Sequence, residues 1–277
     1  MSLFVSSLNS GSNGNCYYIG NQDEAILIDG GISCRETEKR MKRLGLSLQH
    51  VKGIFVTHEH GDHVHGIPAI SKKYKIPVYA TAETSWRGKL DIQKHLVIPF
   101  RGNVPIAIGN LSVTGFSKLH DASDPHSFIV SDGAVRVGVF TDIGSPCENV
   151  IHHFQQCHAA FLEANYDEAL LEQGRYPYHL KVRIRGGKGH LSNTQAMELF
   201  AKYGAPFLSH LFLSHLSEDN NRPKIVRELF KKICGRTEII IASRHKETSV
   251  YHIRNTWRLT RNFRPQRTTS ELQLALF

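Results

Sequence analysis

The feature that most constrains this chain is a dense cluster of metal-binding side chains directly after a short apolar run. The run GIFVT predicts a buried strand, and HEHGDH follows it at residues 58–63. His58 and His60 lie two positions apart in a loop, so their imidazoles can converge on one ion, whereas a helix would separate them. Asp62 and His63 can then serve a second ion. The spacing HxHxDH therefore predicts a metal centre.

The rest of the chain alternates between two kinds of segment. Short apolar runs that end in polar residues predict buried strands, and amphipathic segments such as 33–44 and 192–203 predict helices. Strands interleaved with helices in both halves predict a layered α/β sandwich. Because the chain becomes basic and poor in aliphatic residues after the last of these runs, we predict one folded domain at 1–243 and a basic extension at 244–277.

Composition narrows the classes of partner and the compartment. Lysine and arginine total 34 against 25 acidic residues, a net charge of +9, which favours polyanionic partners such as nucleic acid. No apolar stretch reaches the roughly 18 residues of a membrane helix, so no membrane contact is expected. The N-terminus lacks the basic region of a signal peptide, and the 5 cysteines are scattered without CxxC spacing. These features predict a cytoplasmic protein.

The cluster resembles the metallo-β-lactamase fold superfamily, which implies an αββα four-layer sandwich. The resemblance covers about residues 1–243, and further motifs of the family can be matched one at a time. Asp29 in LIDGG matches an aspartate behind the metal loop. His120 in FSKLHD, Asp142 in VFTDIG and His215 in FLSHLS match the family's remaining metal ligands. Each of these three residues follows a predicted strand.

The resemblance implies two divalent ions. Metal 1 would take His58, His60 and His120, metal 2 would take Asp62, His63 and His215, and Asp142 would bridge. The ions would lie about 3.5–4 Å apart. Histidine and carboxylate ligands accept Zn, Mn and Fe, so the donor set leaves the metal open.

Two more residues indicate a branch of the superfamily. Glu163 in FLEANYD and His190 in KGHLSN resemble the pair that acts as proton donor in tRNase Z and other nucleic-acid-cleaving members. Asn165 stands where tRNase Z has threonine. The motifs SGSNGNCYYI, HDASDP, TDIG, EANYD, GHLSN and LSHLSEDNN are closer still to the YycJ-like bacterial 5′–3′ exonucleases. The loop Ser10–Asn15 in the first of these motifs is interpreted as a hairpin loop.

Other branches fit less well. The segment between Asp142 and His215 is too short for the β-CASP domain of RNase J-type enzymes, and no long Gly/Pro-rich arm for tRNA is visible. A class B β-lactamase would be expected to carry a secretion signal, and its reaction does not require a Glu/His pair. Glyoxalase-type thioesterases share HxHxDH but are expected to have a helical substrate domain. Flavodiiron-type proteins replace a ligand histidine in this motif, whereas His60 is present here.

A basic segment lies between the two predicted proton-transfer residues. Lys181, Arg183 and Arg185 alternate like the residues of one strand face, and Lys188 follows them. Beside a metal site, such a line of charge predicts contacts with phosphates. The alternative is a solvated edge strand protected by its charges.

The sequence thus predicts a dinuclear-metal phosphodiesterase, specifically a 5′–3′ DNA exonuclease in replication-linked repair. Asp62 would orient the nucleophile or accept its proton, and His190, held by Glu163, would protonate the leaving oxygen. The alternatives are an RNA-processing enzyme or small phosphodiester hydrolase of the same fold, and a non-catalytic replication adaptor. The intact ligand set and the Glu163/His190 pair argue against the adaptor.

The chain ends in a short apolar segment after a basic linker. The pattern QLxLF resembles the peptide by which bacterial replication and repair proteins dock on the sliding clamp. In that interpretation Gln273 makes polar contacts, while Leu274, Leu276 and Phe277 fill an apolar pocket. The alternative is a tail that folds back onto the protein's own surface.

Overall fold

The protein is a sandwich of two seven-stranded β-sheets with helices on both outer faces. Two sheets covered by helices on their outer faces confirm the predicted αββα sandwich. The structure, a computed structural model, describes residues 2–255.

The first sheet is built mainly from the N-terminal part of the chain. In spatial order its strands are β14 (Tyr251–Arg254), β1 (Ser2–Asn9), β2 (Cys16–Gly20), β3 (Ala25–Ile28), β4 (Val51–Phe55), β5 (Val78–Ala80) and β6 (Val97–Pro99). β3 to β6 run parallel to one another, and the pairs β14–β1, β1–β2 and β2–β3 are antiparallel.

The second sheet is built from the remaining strands. In spatial order these are β13 (Glu238–Ile241), β12 (His210–Ser214), β11 (Ala159–Glu163), β10 (Arg136–Phe140), β9 (His126–Ser131), β8 (Leu111–Ser117) and β7 (Ile106–Ile108). β10 to β13 are parallel, and the pairs from β10 through β9 and β8 to β7 are antiparallel.

The helices are short and lie between the strands. They are α1 (Cys34–Arg43), α2 (Gly61–Val64), α3 (Ile67–Tyr74), α4 (Ala82–Arg87), α5 (Glu148–Phe154), α6 (Glu168–Gln173), α7 (Tyr178–Arg185), α8 (Asn193–Tyr203) and α9 (Pro223–Lys231). Within residues 2–255, none of them is long and apolar enough to cross a membrane.

Alternating side chains fill three apolar layers. Between the sheets, the rings of Phe55 on β4 and Phe128 on β9 meet edge to face at 5.6 Å. In the second layer, Met41 of α1 packs against the outer face of the first sheet. In the third, Phe154 of α5 and Phe230 of α9 pack against the outer face of the second sheet. Because both faces of the parallel strands are covered, their sequences are continuous apolar runs rather than alternating ones.

The sandwich places the candidate site at one edge. β3 and β4 in the first sheet, and β10, β11 and β12 in the second, all end near the same edge. The polar residues that follow these strand ends, Asp29, Asp142 and His215, all have positive φ. A left-handed backbone costs about 1–2 kcal/mol for a residue other than glycine. Such strain is kept where the surrounding structure determines the turn.

The sheet extends beyond the boundary at residue 243 that the sequence predicted. β14 pairs with β1 in antiparallel register, and Ile253 on β14 is fully buried in the layer between the sheets. Arg43 on α1 also pairs with the buried carboxylate of Glu247, at 2.6 Å. The strand was missed because its partner lies at the other end of the chain. The predicted clamp peptide, Gln273 to Phe277, lies outside the described residues.

The basic segment predicted as a strand is instead the helix α7. Pro177 occupies the N-cap position with φ −62°, and Gly186 follows the last turn. The alternation of basic and β-branched residues resembled a strand, but the helix period places Lys181 and Arg185 on one face and turns Arg183 about 200° away. The predicted single line of charge is therefore wrong.

We expect Ile253→Ala to destabilise the domain by about 2–5 kcal/mol, the usual cost of truncating a buried isoleucine. The matched control is Ile98→Ala on the edge strand β6, where the side chain is 37% exposed and the cost is smaller. Chemical denaturation of both variants measures the difference. Equal effects would contradict the placement of β14 within the core of the domain.

Candidate metal centre and active site

Histidines and carboxylates from five strand ends and adjoining loops converge at the edge of the sandwich. Ligand atoms within 4.8 Å of one another form four overlapping groups: His58/His60/His120, Asp62/His63/His215, His58/His63/Asp142, and Asp142/Glu163/His190/His215. The first two groups coincide with the two ligand sets that the sequence predicted. The third joins those sets through Asp142, and the fourth places Glu163 and His190 beside Asp142 and His215.

The spacing within the first ligand set suits a single ion. His60 Nδ1 lies 3.0 Å from His58 Nε2 and 3.4 Å from His120 Nε2. Ligands about 2.0–2.1 Å from a tetrahedral zinc are separated by roughly 3.4 Å. These imidazole nitrogens are therefore close to the positions that one tetrahedral ion requires.

The second ligand set has the same spacing with a carboxylate included. Asp62 Oδ2 lies 3.4 Å from both His63 Nε2 and His215 Nε2. Asp62 is on α2, directly after the histidine pair, and His215 follows β12 in the other sheet. The second set thus joins the two sheets at their common edge.

Asp142 lies between the two sets. Its Oδ2 is 3.1 Å from His63 Nε2, and its Oδ1 is 3.9 Å from His120 Nε2. The Oδ2 atom is buried and has no hydrogen-bond partner of good geometry among the described residues. A buried carboxylate oxygen without a partner is costly unless it binds a cation, so the geometry fits a bridging ligand.

Asp29 supports the first loop from behind. Its Oδ1 accepts a hydrogen bond from the Thr57 amide at 2.8 Å, and its Oδ2 lies 2.7 Å from His63 Nδ1. Thr57 Oγ1 in turn lies 2.9 Å from His58 Nδ1. With their Nδ1 atoms engaged, both histidines present Nε2 to the centre, which is the arrangement that orients metal-binding imidazoles.

The histidines from the second sheet are oriented in the same way. His120 Nδ1 lies 3.0 Å from the Gly189 carbonyl oxygen, and His215 Nδ1 lies 3.0 Å from Glu163 Oε1. Each ring therefore points its Nε2 atom at the ligand groups described above. The backbone and carboxylate partners thus fix the orientation of both rings.

Glu163 and His190 form a buried pair beside the metal cluster. His190 Nδ1 is 2.7 Å from Glu163 Oε1, while Glu163 Oε2 accepts bonds from the Ile143 and Leu191 amides. Burial alone would raise the pKa of Glu163, but the charge of His190 and the hydrogen bonds from His190 and His215 lower that pKa to about 2. Glu163 therefore stays ionised and holds the imidazole in one orientation.

Electrostatics divides the ligand histidines into two groups. Burial lowers the pKa of His58 well below its usual range and that of His120 to about 4, so both are neutral. For His63 and His215 burial acts in the same direction, but nearby carboxylates outweigh it and raise both pKa values, that of His215 to about 10. The carboxylates thus attract positive charge, which a divalent cation supplies by displacing these protons.

The strained turn at His215 is held by residues that the sequence left without a role. Asn165 Nδ2 donates to the His215 carbonyl oxygen at 2.8 Å, and Ser10 Oγ accepts the His215 amide at 2.7 Å. Both contacts fix a backbone with φ +57°. Only tertiary structure brings these partners together, because Ser10 lies in the loop that follows β1 of the opposite sheet.

The loop Ser10–Asn15 is part of the site rather than a plain hairpin loop. Asn15 Nδ2 lies 3.2 Å from Asp62 Oδ2, and its backbone amide donates to the Asp62 carbonyl at 2.7 Å. A Cβ at Gly31 would lie 1.7 Å from that same carbonyl oxygen, so the close approach of the two loops requires glycine there. The sequence carries no local signal of this contact.

Two further side chains stabilise the neighbouring loops. Lys118 is buried, and its Nζ donates to the Thr141 carbonyl at 2.6 Å, directly before Asp142. Glu59 Oε1 accepts the Ser123 amide at 2.8 Å and its hydroxyl at 2.6 Å, which ties the first histidine loop to the loop that carries His120. Both residues lie within the motifs but had no assigned role.

An open cavity of about 320 Å³ lies over the cluster. Its lining residues are Ser12, His60, Gly61, Asp62, His120, Asp142, Arg183, His190 and His215. Arg183 is 59% exposed, and its Nε contacts Asp121 Oδ2 at 2.5 Å.

The other basic residues of the segment lie elsewhere. Lys181 and Arg185 both contact Glu172 at the end of α6, and Lys188 is exposed in the loop after α7. Of the predicted phosphate-binding residues, the structure therefore brings only Arg183 to this cavity.

Comparisons with known proteins agree with this architecture. A family model described as a β-lactamase superfamily domain matches residues 24–215. The chain is 33% identical to exodeoxyribonuclease YycJ of Bacillus anthracis, covering 82% of this chain and 87% of the relative. It is 29% identical to exodeoxyribonuclease WalJ of Streptococcus pneumoniae, covering 78% and 82%. The crystal structure of the metallo-β-lactamase fold protein YhfI from Bacillus subtilis superposes with a TM-score of 0.71 at 19% identity, covering 91% and 99%.

The chain therefore belongs to the β-lactamase superfamily, and it is a hydrolase with the metallo-β-lactamase fold.

We expect Asp142→Asn to remove most of the bound metal, because the variant loses the buried negative charge shared by both ligand sets. Elemental analysis of the purified protein measures the ion content per chain. The matched control is Asp124→Asn, whose side chain is 42% exposed in the same loop as His120 and which should leave the content unchanged. Full metal content in the Asp142 variant would contradict the bridging assignment.

Proposed function

We propose that this protein is a dinuclear-metal 5′–3′ exodeoxyribonuclease. The observation that carries the proposal is that members of both ligand sets, Arg183, and His190 backed by a buried glutamate all line one open cavity. The relatives named exodeoxyribonuclease, each covered over most of its length, support DNA as the substrate. The 5′–3′ direction and a role in replication-linked repair are part of the proposal.

The residues present fit two divalent ions, and we propose Zn, Mn or Fe. His58, His60 and His120 would hold one ion and Asp62, His63 and His215 the other, with Asp142 shared. When bound, such ions make water acidic enough to act near neutral pH and neutralise charge on the phosphate. The short nitrogen–nitrogen distances and the unpartnered Asp142 oxygen support this assignment.

His190 would donate a proton to the leaving oxygen. Its Nδ1 is engaged with Glu163, so the proton to be transferred is on Nε2. The side chain is 22% exposed, which gives substrate access while the carboxylate behind it remains fully buried. Glu163 acts through His190, because it keeps the ring oriented.

Asp62 and Arg183 would also act on the reacting phosphate. Asp62 is 23% exposed, so it can orient the attacking water or accept its proton. Arg183 would contact phosphate oxygens, since guanidinium is suited to bidentate phosphate binding. Phosphate contacts by Lys181, Arg185 and Lys188 stay predictions, because these residues do not line the cavity over the metal cluster.

The proposal is tested by incubating the purified protein and Mn²⁺ or Zn²⁺ with single-stranded DNA and RNA labelled at the 5′ or the 3′ end. Release of labelled mononucleotide from 5′-labelled DNA at the earliest times is the expected result. Mononucleotide release from the 3′ end would overturn the direction. Preferred cleavage of RNA would favour the RNA-processing alternative, and no cleavage of either would favour the adaptor.

We expect His190→Ala to lower turnover by about 10²- to 10⁴-fold, the range for a lost general acid, and to leave metal content unchanged. Steady-state kinetics and elemental analysis on the same preparation separate the two effects. His179→Ala, an exposed histidine on α7, is the control and should behave as wild type. Loss of metal together with activity would mean that His190 is a ligand.

We expect Arg183→Ala to weaken DNA binding across all sequences and to reduce the slope of log K against log salt by about 1. Arg185→Ala, on the opposite face of the same helix, is the matched control and should leave the slope unchanged. Equilibrium binding at several salt concentrations gives both slopes. The same slope in both variants would show that Arg183 has no special contact.

We also propose a cytoplasmic location, which the free cysteines support.

We further propose that the protein binds the bacterial sliding clamp through Gln273, Leu274, Leu276 and Phe277. The expectation is that the full chain binds the clamp with an affinity that a version ending at Ser270 lacks. A binding titration of both proteins provides the comparison. Equal binding by both, or by neither, would reject this partner.

A further inference from the structure

A second, smaller cavity of about 190 Å³ adjoins the one above the metal cluster. The two cavities share Ser12, Arg183, His190 and His215. The residues that belong only to the second cavity are Asn165, Tyr176, Leu180, Ile184 and Ser217. His190 therefore stands at the boundary between the reacting centre and this side chamber.

One wall of the chamber is apolar and belongs to α7. Leu180 and Ile184 lie one helical turn apart, so they share a face of the helix. None of the residues of α7, all of which the structure describes, is buried, so this face does not pack into the core of the protein. It borders the chamber instead, beside the guanidinium of Arg183.

A tyrosine lies at the entry to the same helix. Tyr176 is half-buried, and its hydroxyl donates a hydrogen bond to Asp219 Oδ2 at 2.8 Å. That bond anchors the far end of the side chain, and Pro177 restricts the backbone of Tyr176, the residue before it. The ring is therefore held in place before a ligand arrives, which lowers the entropy lost on binding.

The floor of the chamber is polar and rigid. Asn165 donates to the His215 carbonyl oxygen, and its own carbonyl accepts the Ser217 amide at 2.8 Å. The chamber thus combines an aromatic ring, an aliphatic wall, a polar floor and an arginine at its entrance. A nucleoside matches this chemistry, because its base has apolar faces and polar edges and its neighbour in the strand is a phosphate.

We propose that this chamber holds the base of the 5′-terminal nucleotide of the DNA, stacked on Tyr176 and packed against Leu180 and Ile184. The inference rests on the proposed nuclease function and adds the substrate position to it. In that reaction the oxygen of water bonds to phosphorus and its proton goes to Asp62, while the P–O3′ bond breaks and a proton from His190 goes to the O3′ atom. The leaving O3′ belongs to the terminal nucleotide, so its base must lie on the His190 side of the centre.

The chamber also fits the proposed release of one nucleotide at a time. A volume of about 190 Å³ is small for more than one nucleoside, so the chamber suits a single terminal nucleotide. Stacking uses the faces of the base rather than its edges and is therefore tolerant of sequence. A chamber of this kind selects a strand end without selecting which base is there.

The test compares two single-stranded DNAs that differ only in their 5′-terminal nucleotide, which carries a base in one and is abasic in the other. With the metal-loaded wild type, we expect loss of the base to lower kcat/KM by about 10-fold, in line with base–aromatic stacking. In Tyr176→Ala, loss of the base should have little further effect. Tyr178→Ala, a tyrosine that is 71% exposed outside the chamber, is the matched control and should keep the 10-fold difference.

A second measurement does not depend on turnover. A DNA with 2-aminopurine at the 5′ end and a hydrolysis-resistant phosphorothioate first linkage should lose fluorescence when it binds, because the probe stacks on the ring. Quenching should persist in Tyr176→Phe and Tyr178→Ala and disappear in Tyr176→Ala. If Tyr176→Ala fails to fold, as judged by circular dichroism, Leu180→Ala replaces it and should lower both the quenching and the abasic difference.

The outcomes separate the two proposals. A wild type that cleaves no DNA overturns the nuclease function, whatever the fluorescence shows. A wild type that cleaves DNA but shows the same abasic difference in Tyr176→Ala overturns the chamber alone. Equal quenching for terminal and internal 2-aminopurine would also overturn it, because the chamber would then not be reserved for the strand end.

Discussion

The architecture depends on one electrostatic constraint, which is the crowding of carboxylates at the edge where the two sheets meet. Asp29, Asp62, Asp142 and Glu163 lie close together and are largely or wholly buried, and a cluster of this kind is stable only with compensating positive charge. Protons on His63 and His215 supply some of it, as their raised pKa values indicate. Divalent metal binding would supply it more completely, so the stability of this edge depends on metal binding.

The ligands are held by a network that does not itself bind metal. Thr57, Gly189 and Glu163 orient imidazoles, while Asn165 and Ser10 hold the left-handed turn at His215. Most of these contacts cross from one loop to another, and several cross between the sheets. The geometry of the centre is therefore a property of the whole sandwich, and the ligand motifs alone do not determine it.

This division explains what the sequence could predict. The spacing of His58, His60, Asp62 and His63 is local, and their metal chemistry leaves few interpretations. Asp142 and His215 could be found because each follows an apolar strand and matches a motif of the resembled family. Asn15 and Lys118 could not, because their partners are set only by the tertiary fold. α7 was misassigned because alternating basic and β-branched residues imitate a strand, whereas the proline before it and the glycine after it carried the better signal.

The position of β14, the last strand of the described residues, affects which truncated versions of the protein will stay soluble. β14 is the edge strand of the first sheet, and it covers β1, which is eight residues long. Without β14, β1 would become the edge strand. A chain cut before Tyr251 would leave the backbone amides and carbonyls along that edge free to pair with another molecule. Shortened or tagged versions that end inside this region would therefore tend to self-associate through strand pairing, and the loss of solubility would come from an exposed sheet edge rather than from damage to the distant catalytic edge.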